Sequence, residues 1–226
     1  MIKGILIDFG GTIDSDGIHW FNAFQESYRN VSNIPEELLR EAYVHTERTL
    51  GSNPIITPDF TFRQTLRIKI FLQSEYLNTK GISIPETAQD AILDFCYNRV
   101  VHHILAVSKP VLENIQLPMV LVTNFYGNMH TVLEEFGIDH LFKDVIESAV
   151  VGVRKPDPQI FRLGVAGLGL EPQETVMIGD SLEKDIIPAQ SIGCQTILLT
   201  ATPGAQRGRF FLCPSCETLL DIPSLL

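Results

Sequence analysis

The sequence predicts an α/β fold whose parallel sheet is interrupted, after its first strand, by a long all-helical insertion. Short apolar segments alternate with helical stretches over most of the chain, which is the pattern of a parallel sheet covered by helices. Between about residues 15 and 107, apolar residues recur only at helical spacing and no strand-like run occurs. With 226 residues, 45% of them hydrophobic, the chain is long enough for one core and a smaller second lobe.

Short apolar runs predict the strands of the sheet in order along the chain. The predicted strands cover residues 4–7, 119–122, 175–178 and 195–199. A further short strand is expected at residues 210–212, followed by a terminal helix. Helices are predicted between the strands at residues 126–136 and 183–192, and in a segment that begins with Asp157 as N-cap and Pro158.

The helical insertion is predicted to contain four helices. They cover residues 20–28, 35–50, 58–77 and 85–105. A proline is expected in the first turn of three of them, where its missing N–H costs nothing: Pro35, Pro58 and Pro85. Trp20 and Phe24, one helical turn apart, either pack internally or line a cavity. The predicted domains are a core of residues 1–14 and 108–226 and a helical domain of residues 15–107.

Charge and composition exclude several classes of function. The net charge of −10 would repel a nucleic acid backbone, and no basic run offsets it. No apolar run exceeds four residues, and the N-terminus reaches Asp8 too early for a secretory signal. The four cysteines include one isolated CxxC, Cys213 and Cys216, which makes neither a disulfide framework nor a complete zinc site. We therefore expect a cytoplasmic protein that binds neither nucleic acid nor a membrane.

Polar residues follow the predicted strands at the edge where open α/β sheets bind ligands. The first strand is followed by Asp8, the second by Thr123, and the third by Gly179 and Asp180, with Asp185 about one helical turn later. A rigid turn at residues 153–158 carries a lysine between the second and third strands. If the strands are neighbours, five side chains converge there: Asp8, Thr123, Lys155, Asp180 and Asp185.

These residue types suit phosphoryl chemistry. Three carboxylates would repel one another unless a hard cation such as Mg²⁺ lay among them. A lysine and a hydroxyl beside that cation form an anion site for a phosphoryl group. A carboxylate can also attack phosphorus and form an aspartyl phosphate.

In order along the chain, four segments resemble the four motifs of the haloacid dehalogenase-like hydrolase superfamily. They are Asp8-Phe9-Gly10-Gly11-Thr12, Thr123-Asn124, Lys155-Pro156, and Gly179-Asp180 with Asp185. The resemblance covers nearly the whole chain. It implies a Rossmann-like core, and a helical insertion similar to the cap of the phosphatase and dehalogenase branch.

The resemblance also implies a role for each residue. Asp8 would be the nucleophile, Thr123 would hold a phosphoryl oxygen, and Lys155 would neutralise the nucleophile and the intermediate. Mg²⁺ would be held by Asp8, the backbone carbonyl of Gly10, Asp180 and Asp185. Substrate contacts would come from Gly11, Thr12, Asn124 and Lys155. The expected partner is a small phosphorylated substrate, bound by a monomer or homodimer.

The chain departs from the family pattern at one position. Two residues after the nucleophile, phosphatases of this family carry a second aspartate that serves as general acid and base, and this chain has Gly10. Such catalysis contributes about 10²- to 10⁴-fold in rate, so we expect slow cleavage of alkyl phosphates. Acyl phosphates, aryl phosphates and phosphoanhydrides would escape most of this loss. Replacement by Asp14, Asp16, His19 or a cap residue is also considered.

Three other functions remain open. Dehalogenases lack the second aspartate, but they need neither Mg²⁺ nor this acidic site, and no arginine follows the first motif before Arg29. Phosphonoacetaldehyde hydrolases use a cap lysine as a Schiff base, for which the candidates are Lys69, Lys80 and Lys109. A non-catalytic protein that binds a ligand is the alternative from a different class.

Overall fold

A six-stranded parallel sheet forms the centre of the computed structural model, which describes residues 1–200 and 215–226. Its strands are β1 Gly4–Ile7, β2 Met119–Thr123, β3 Asp144–Glu147, β4 Thr175–Gly179, β5 Gln195–Leu199 and β6 Ser215–Cys216. The strand order is β3-β2-β1-β4-β5-β6, and each neighbouring pair is parallel. The strand order reverses at β1, so the carboxyl ends of β1 and β4 border the crevice where such sheets bind ligands.

Within residues 1–200 and 215–226, ten α-helices pack around this sheet. They are α1 Trp20–Arg29, α2 Glu36–Ser52, α3 Phe62–Thr79, α4 Glu86–His103, α5 Lys109–Asn114, α6 Met129–Phe136, α7 Ser148–Val151, α8 Pro158–Leu168, α9 Ile187–Ser191 and α10 Ile222–Leu225. None of the helices described in residues 1–200 and 215–226 has both the length and the hydropathy needed to cross a bilayer.

The predicted α/β class is confirmed, and the strands predicted at residues 4–7, 119–122, 175–178 and 195–199 are observed as β1, β2, β4 and β5. Strands β2 and β4 are each one residue longer than predicted. The edge strand β3 was not predicted, because it contains only two apolar residues between Asp144 and Glu147. The strand expected at residues 210–212 lies outside the described residues.

Several helix boundaries differ from the prediction. Pro35 and Pro85 are N-caps rather than first-turn residues. The third helix begins at Phe62 and not near Pro58, because Thr61 forms a capping box that satisfies the first N–H groups. The helix expected from residue 126 begins at Met129.

The end of the predicted helical domain is not marked by a break in the backbone. After α4 the chain continues helically through a π-helical stretch, Ile104–Ser108, and directly into α5. The division into core and helical domain therefore stays a prediction.

The two faces of the sheet pack against different sets of helices. Because side chains alternate along a strand, Leu6 points to one face, where it packs with Phe161 of α8. Ile5 and Ile7 point to the other face and belong to a single apolar cluster. That cluster continues into α1 to α4, where Leu66 is one of its fully buried members.

Hydrogen bonds join the beginning of α3 to α6 on the sheet. Asn128 donates from Nδ2 to the Phe60 carbonyl at 2.7 Å and to Thr65 Oγ1 at 2.9 Å. The carboxylate of Glu135 accepts from the Phe62 N–H and, at 2.8 Å, from the Tyr97 hydroxyl. The helices of the insertion are thus fixed above the carboxyl edge of the sheet.

Helix α8 packs closely on the sheet at Gly164, and a substitution there tests this close packing. A Cβ at this position would lie 2.9 Å from both Leu6 Cδ2 and Val122 Cγ2. We expect Gly164→Val to lower the free energy of unfolding by about 1–3 kcal/mol, because it overpacks this layer. Denaturant unfolding measures the effect, with Ala166→Val on the exposed side of the same helix as control. Equal losses in both variants would contradict the close approach.

Candidate functional site

Three polar residues predicted from the sequence meet at the carboxyl edge of neighbouring strands. Asp8 follows β1, Thr123 ends β2, and Asp180 follows β4. All three line one cavity of about 950 Å³, which extends from the sheet edge to the helices of the insertion. A cavity of this size accommodates a small organic ligand.

Lys155 lies in the centre of this edge and is almost fully buried. Its Nζ is 2.7 Å from Asp8 Oδ1 and 2.6 Å from Asp185 Oδ1. The side chain of Asn124 holds the backbone of the lysine, accepting from its N–H at 2.8 Å and donating to its carbonyl at 3.0 Å. Asn124 therefore positions Lys155, and it also lines the cavity.

Two glycines allow the carboxylates to approach this closely. A Cβ on Gly179 would lie 2.6 Å from the Cβ of Asp185. Gly11 has a φ of +88°, and a Cβ there would lie 2.3 Å from Asp180 Oδ2. Asp185 is fixed further because its Oδ2 accepts the Ser181 N–H at 3.0 Å.

Burial and charge shift the pKa values of these groups strongly. Burial raises the pKa of Asp8 to about 7, although the Lys155 charge opposes the shift. Burial, and then the nearby charge of Asp8, raise the pKa of Asp180 to about 8. Burial alone would lower the pKa of Lys155, but Asp185 and Asp8 raise it, so the ammonium stays charged.

The carboxylates also fit a hard metal ion. One oxygen from each of Asp8, Asp180 and Asp185 lies within 4.8 Å of the other two. Oxygen ligands of this kind suit Mg²⁺, and a divalent charge among them would offset the repulsion between the carboxylates. Gly10, whose carbonyl is the further predicted ligand, lines the same cavity.

Two polar residues of the loop after Asp8, Thr12 and Asp14, are buried and do not face the cavity. Thr12 is fully buried and is not among the residues that line the cavity, so its predicted substrate contact gains no support. Asp14 is also buried, and its Oδ1 accepts from the Gly11 N–H and the Ser15 hydroxyl, each at 2.7 Å. Its Oδ2 accepts from Trp20 Nε1 at 2.5 Å. Asp14 therefore joins the loop to α1, and it is not among the residues that line the cavity.

Of the other two residues considered as replacement acids, one lines the cavity. Asp16 accepts from the Leu219 N–H at 2.7 Å and does not line the cavity. His19 lines it, while its Nδ1 accepts from the Phe21 N–H at 3.2 Å.

Among the three candidate lysines, Lys69 lines the cavity and Lys80 and Lys109 do not. The Nζ of Lys69 is 2.7 Å from Glu47 Oε1 and donates to the Tyr126 hydroxyl at 3.2 Å. Glu47 raises the pKa of this lysine against the opposing effect of burial. Since a Schiff base requires a neutral amine, this environment does not favour the phosphonoacetaldehyde hydrolase alternative.

The sequence reasoning missed Glu147, at the end of β3. Its buried carboxylate accepts the Gly127 N–H at 2.5 Å and the Met129 N–H at 3.2 Å. These bonds hold the loop that carries Asn124 and Tyr126. A glutamate at a strand end is a usable signal, but the strand itself had not been predicted.

Comparison with known protein families gives a match over most of the chain. A family model described as haloacid dehalogenase-like hydrolase matches residues 2–193. Glyceraldehyde 3-phosphate phosphatase of Methanopyrus kandleri is 43% identical over 65 residues, which are 29% of this chain and 28% of that protein. The chain therefore aligns with less than a third of the length of this curated relative.

Solved structures match over the full length at low identity. L-2-haloacid dehalogenase from Xanthobacter autotrophicus, with chloropropionic acid covalently bound, gives a TM-score of 0.62 at 16% identity, covering 100% of this chain and 98% of that one. The HAD-hydrolase YfnB from Bacillus subtilis, bound to magnesium, gives the same TM-score, identity and coverage. These likenesses confirm the fold.

Removal of the Lys155 charge tests the electrostatics of the site. We expect Lys155→Met to lower the free energy of unfolding by about 3–5 kcal/mol, because it leaves buried carboxylates unpaired. The pKa of Asp8 would rise further, and an acid with a raised pKa stabilises the fold only when protonated. The deficit should therefore grow as the pH rises above about 7, where Asp8 ionises in the wild type but stays protonated in the variant.

Denaturant unfolding at several pH values measures this deficit. Arg154→Met, which removes the exposed neighbouring charge, is the control and should change stability little. A deficit that is absent, or that shrinks as the pH rises, would contradict the paired arrangement.

Proposed function

The chain belongs to the haloacid dehalogenase-like hydrolase family, and we propose that it is a Mg²⁺-dependent phosphatase that uses Asp8 as its nucleophile. The observation that carries this proposal is the buried Lys155 ammonium, which contacts Asp8 and Asp185 at 2.7 and 2.6 Å. A fixed cation at this position can neutralise a nucleophilic carboxylate and the phosphoryl group that it accepts. The phosphatase relative supports the same reaction.

The proposed reaction has two displacements at phosphorus. In the first, an oxygen of Asp8 bonds to phosphorus, and the bond from phosphorus to the leaving oxygen breaks. In the second, water attacks the aspartyl phosphate, releasing inorganic phosphate and restoring the carboxylate. Lys155 holds Oδ1 of Asp8, which leaves the second oxygen to attack, and the Thr123 hydroxyl donates to a phosphoryl oxygen.

A bound Mg²⁺ would neutralise negative charge on the transferred group. Its proposed ligands are the carboxylates of Asp8, Asp180 and Asp185 and the carbonyl of Gly10. The same acidic group argues against the dehalogenase alternative, because expulsion of a halide requires no cluster of carboxylates.

The leaving group limits the range of substrates. Gly10 offers no proton to the departing oxygen, and Asp14 does not line the cavity. Burial lowers the pKa of His19, so its imidazole is mostly neutral near pH 7 and is a weak proton donor. The enzyme should therefore favour substrates whose leaving group is stable as an anion, as in acyl and aryl phosphates.

Replacement of the nucleophile is the direct test. We expect the wild type to hydrolyse acetyl phosphate with Mg²⁺ and to lose this activity with a chelator. Asp8→Asn should reduce phosphate release to background, because an amide does not attack phosphorus. Asp16→Asn, whose side chain contacts Leu219 instead, is the control. If the wild type releases no phosphate, the non-catalytic ligand-binding alternative is favoured. If Asp8→Asn remains active, Asp8 is not the nucleophile.

Restoring an aspartate at position 10 tests the missing acid. Gly10 has φ −76° and ψ 117°, and a Cβ there would meet no atom within 4 Å. We expect Gly10→Asp to raise hydrolysis of an unactivated sugar phosphate by about 10²- to 10⁴-fold, with acetyl phosphate changed much less.

The neighbouring glycine provides the matched control for this gain. Gly11→Asp adds the same charge at a φ of +88° and against Asp180, so it should lower activity on both substrates. A Gly10→Asp protein that remains inactive on sugar phosphates would contradict the assigned role of this position.

A further inference from the structure

We propose that the leaving-group side of the cavity selects aryl phosphates and that Lys69 stabilises the departing phenolate. This inference rests on the proposed phosphatase function and names the substrate class of the same site. Three features carry it: the aromatic cavity wall, the contacts of Lys69, and the missing acid at Gly10.

The part of the cavity wall formed by the helical insertion and the loop after β2 is rich in aromatic side chains. Half-buried rings line the cavity from α1, from α2 and from the loop after β2, and they belong to Trp20, Tyr43, Phe125 and Tyr126. Faces and edges of such rings favour a second flat ring by stacking. A polyol would have to give up its hydration against the same wall, which costs free energy. The wall therefore favours a flat apolar leaving group.

Lys69 brings one positive charge into this aromatic wall. Its Nζ lies 5.4 Å from the ring centre of Tyr126, 5.8 Å from that of Trp20 and 6.0 Å from that of Phe24. The ammonium has three N–H groups, of which Glu47 and Tyr126 take two. Among the described residues no other polar partner contacts Nζ. One N–H of a buried cation that lines the cavity is thus available to an oxygen atom of the substrate.

The partners of Lys69 also limit what it can bind. The carboxylate of Glu47 neutralises the ammonium at 2.7 Å and accepts the Tyr126 hydroxyl at 2.7 Å through its other oxygen. A permanent second anion on the substrate would lie beside this carboxylate and be repelled. Negative charge that develops on the leaving oxygen only as its bond to phosphorus breaks suits the site better, because the free N–H of Lys69 can donate a hydrogen bond to that oxygen.

A phenolate is a leaving group of this kind. When an Asp8 oxygen bonds to phosphorus, the bond from phosphorus to the aryl oxygen breaks and its electron pair stays on that oxygen. The phenolate then accepts a hydrogen bond from Lys69 and takes a proton from solvent after release. The pKa of a phenol is about 10, against about 16 for water, so a phenolate departs without the acid that Gly10 lacks.

Binding can be measured without turnover, because Trp20 is the only tryptophan in the chain. Asp8→Asn protein with Mg²⁺ is titrated with phenyl phosphate and with glycerol phosphate while tryptophan fluorescence is recorded. We expect phenyl phosphate to change the emission and to bind up to about tenfold more tightly, as one aromatic contact allows. Equal affinities, or no change in emission with phenyl phosphate, would overturn the aryl pocket.

A leaving-group series tests Lys69 itself. The kcat/KM of the wild type and of Lys69→Met is compared on acetyl, 4-nitrophenyl and phenyl phosphate, whose leaving groups increase in basicity in that order. We expect losses that increase in the same order, to about 10²-fold on phenyl phosphate and less than about twofold on acetyl phosphate. A structural defect would lower all three equally, and that outcome would overturn the role of Lys69.

The control for this series lies on the same helix. Lys80→Met removes an exposed lysine at the end of α3 and should leave all three rates unchanged. If the wild type does not hydrolyse acetyl phosphate, the proposed function fails, while the fluorescence titration still decides whether the pocket prefers an aryl group. Activity on acetyl phosphate without preference for aryl ligands would overturn this inference alone.

Discussion

The buried contact of one lysine with two aspartates is the interaction on which the site depends. Carboxylates removed from water are stable only when they are paired, and Lys155 pairs with both Asp8 and Asp185. The rest of the edge is built around this contact. Asn124 fixes the lysine backbone, and Gly179 leaves the space that the second carboxylate occupies. Under the proposed function, a metal ion held by these carboxylates would offset their negative charge where the phosphoryl group is transferred, so stability and chemistry would depend on the same atoms.

The absence of an acid at Gly10 changes what the remaining site can do. Under the proposed function, Asp8 serves as nucleophile beside the Lys155 cation and the Thr123 hydroxyl, while Gly10 supplies no proton to the departing oxygen. In such a site the leaving group must be stable as an anion, and the cavity wall can stabilise that anion further through stacking and a nearby positive charge. The Lys69 and Glu47 pair places that charge on the helical insertion rather than on the sheet.

The helical insertion is continuous with the core in packing. One apolar cluster extends from Ile5 and Ile7 in β1 through α6 into α1 to α4. Hydrogen bonds donated by Asn128 and accepted by Glu135 fix the start of α3 to α6. The aromatic wall of the cavity is therefore supported by the same interior that supports the strands, and the position of Lys69 relative to Asp8 is set by this packing.

The sequence by itself determined where the central strands lie along the chain and which residues follow them, because apolar runs and the polar positions after them are local patterns. Asp8, Thr123 and Asp180 were predictable for this reason, and Lys155 from its place in a rigid turn. The edge strand β3 was not, because Asp144 and Glu147 leave too short an apolar run. That the central strands are neighbours in the sheet was decided by the tertiary structure. Only the tertiary structure decided that Lys69 lines the cavity and that Asp14 is buried away from it. Helical periodicity shows that a side chain is buried, but the neighbouring element alone defines what it is buried against.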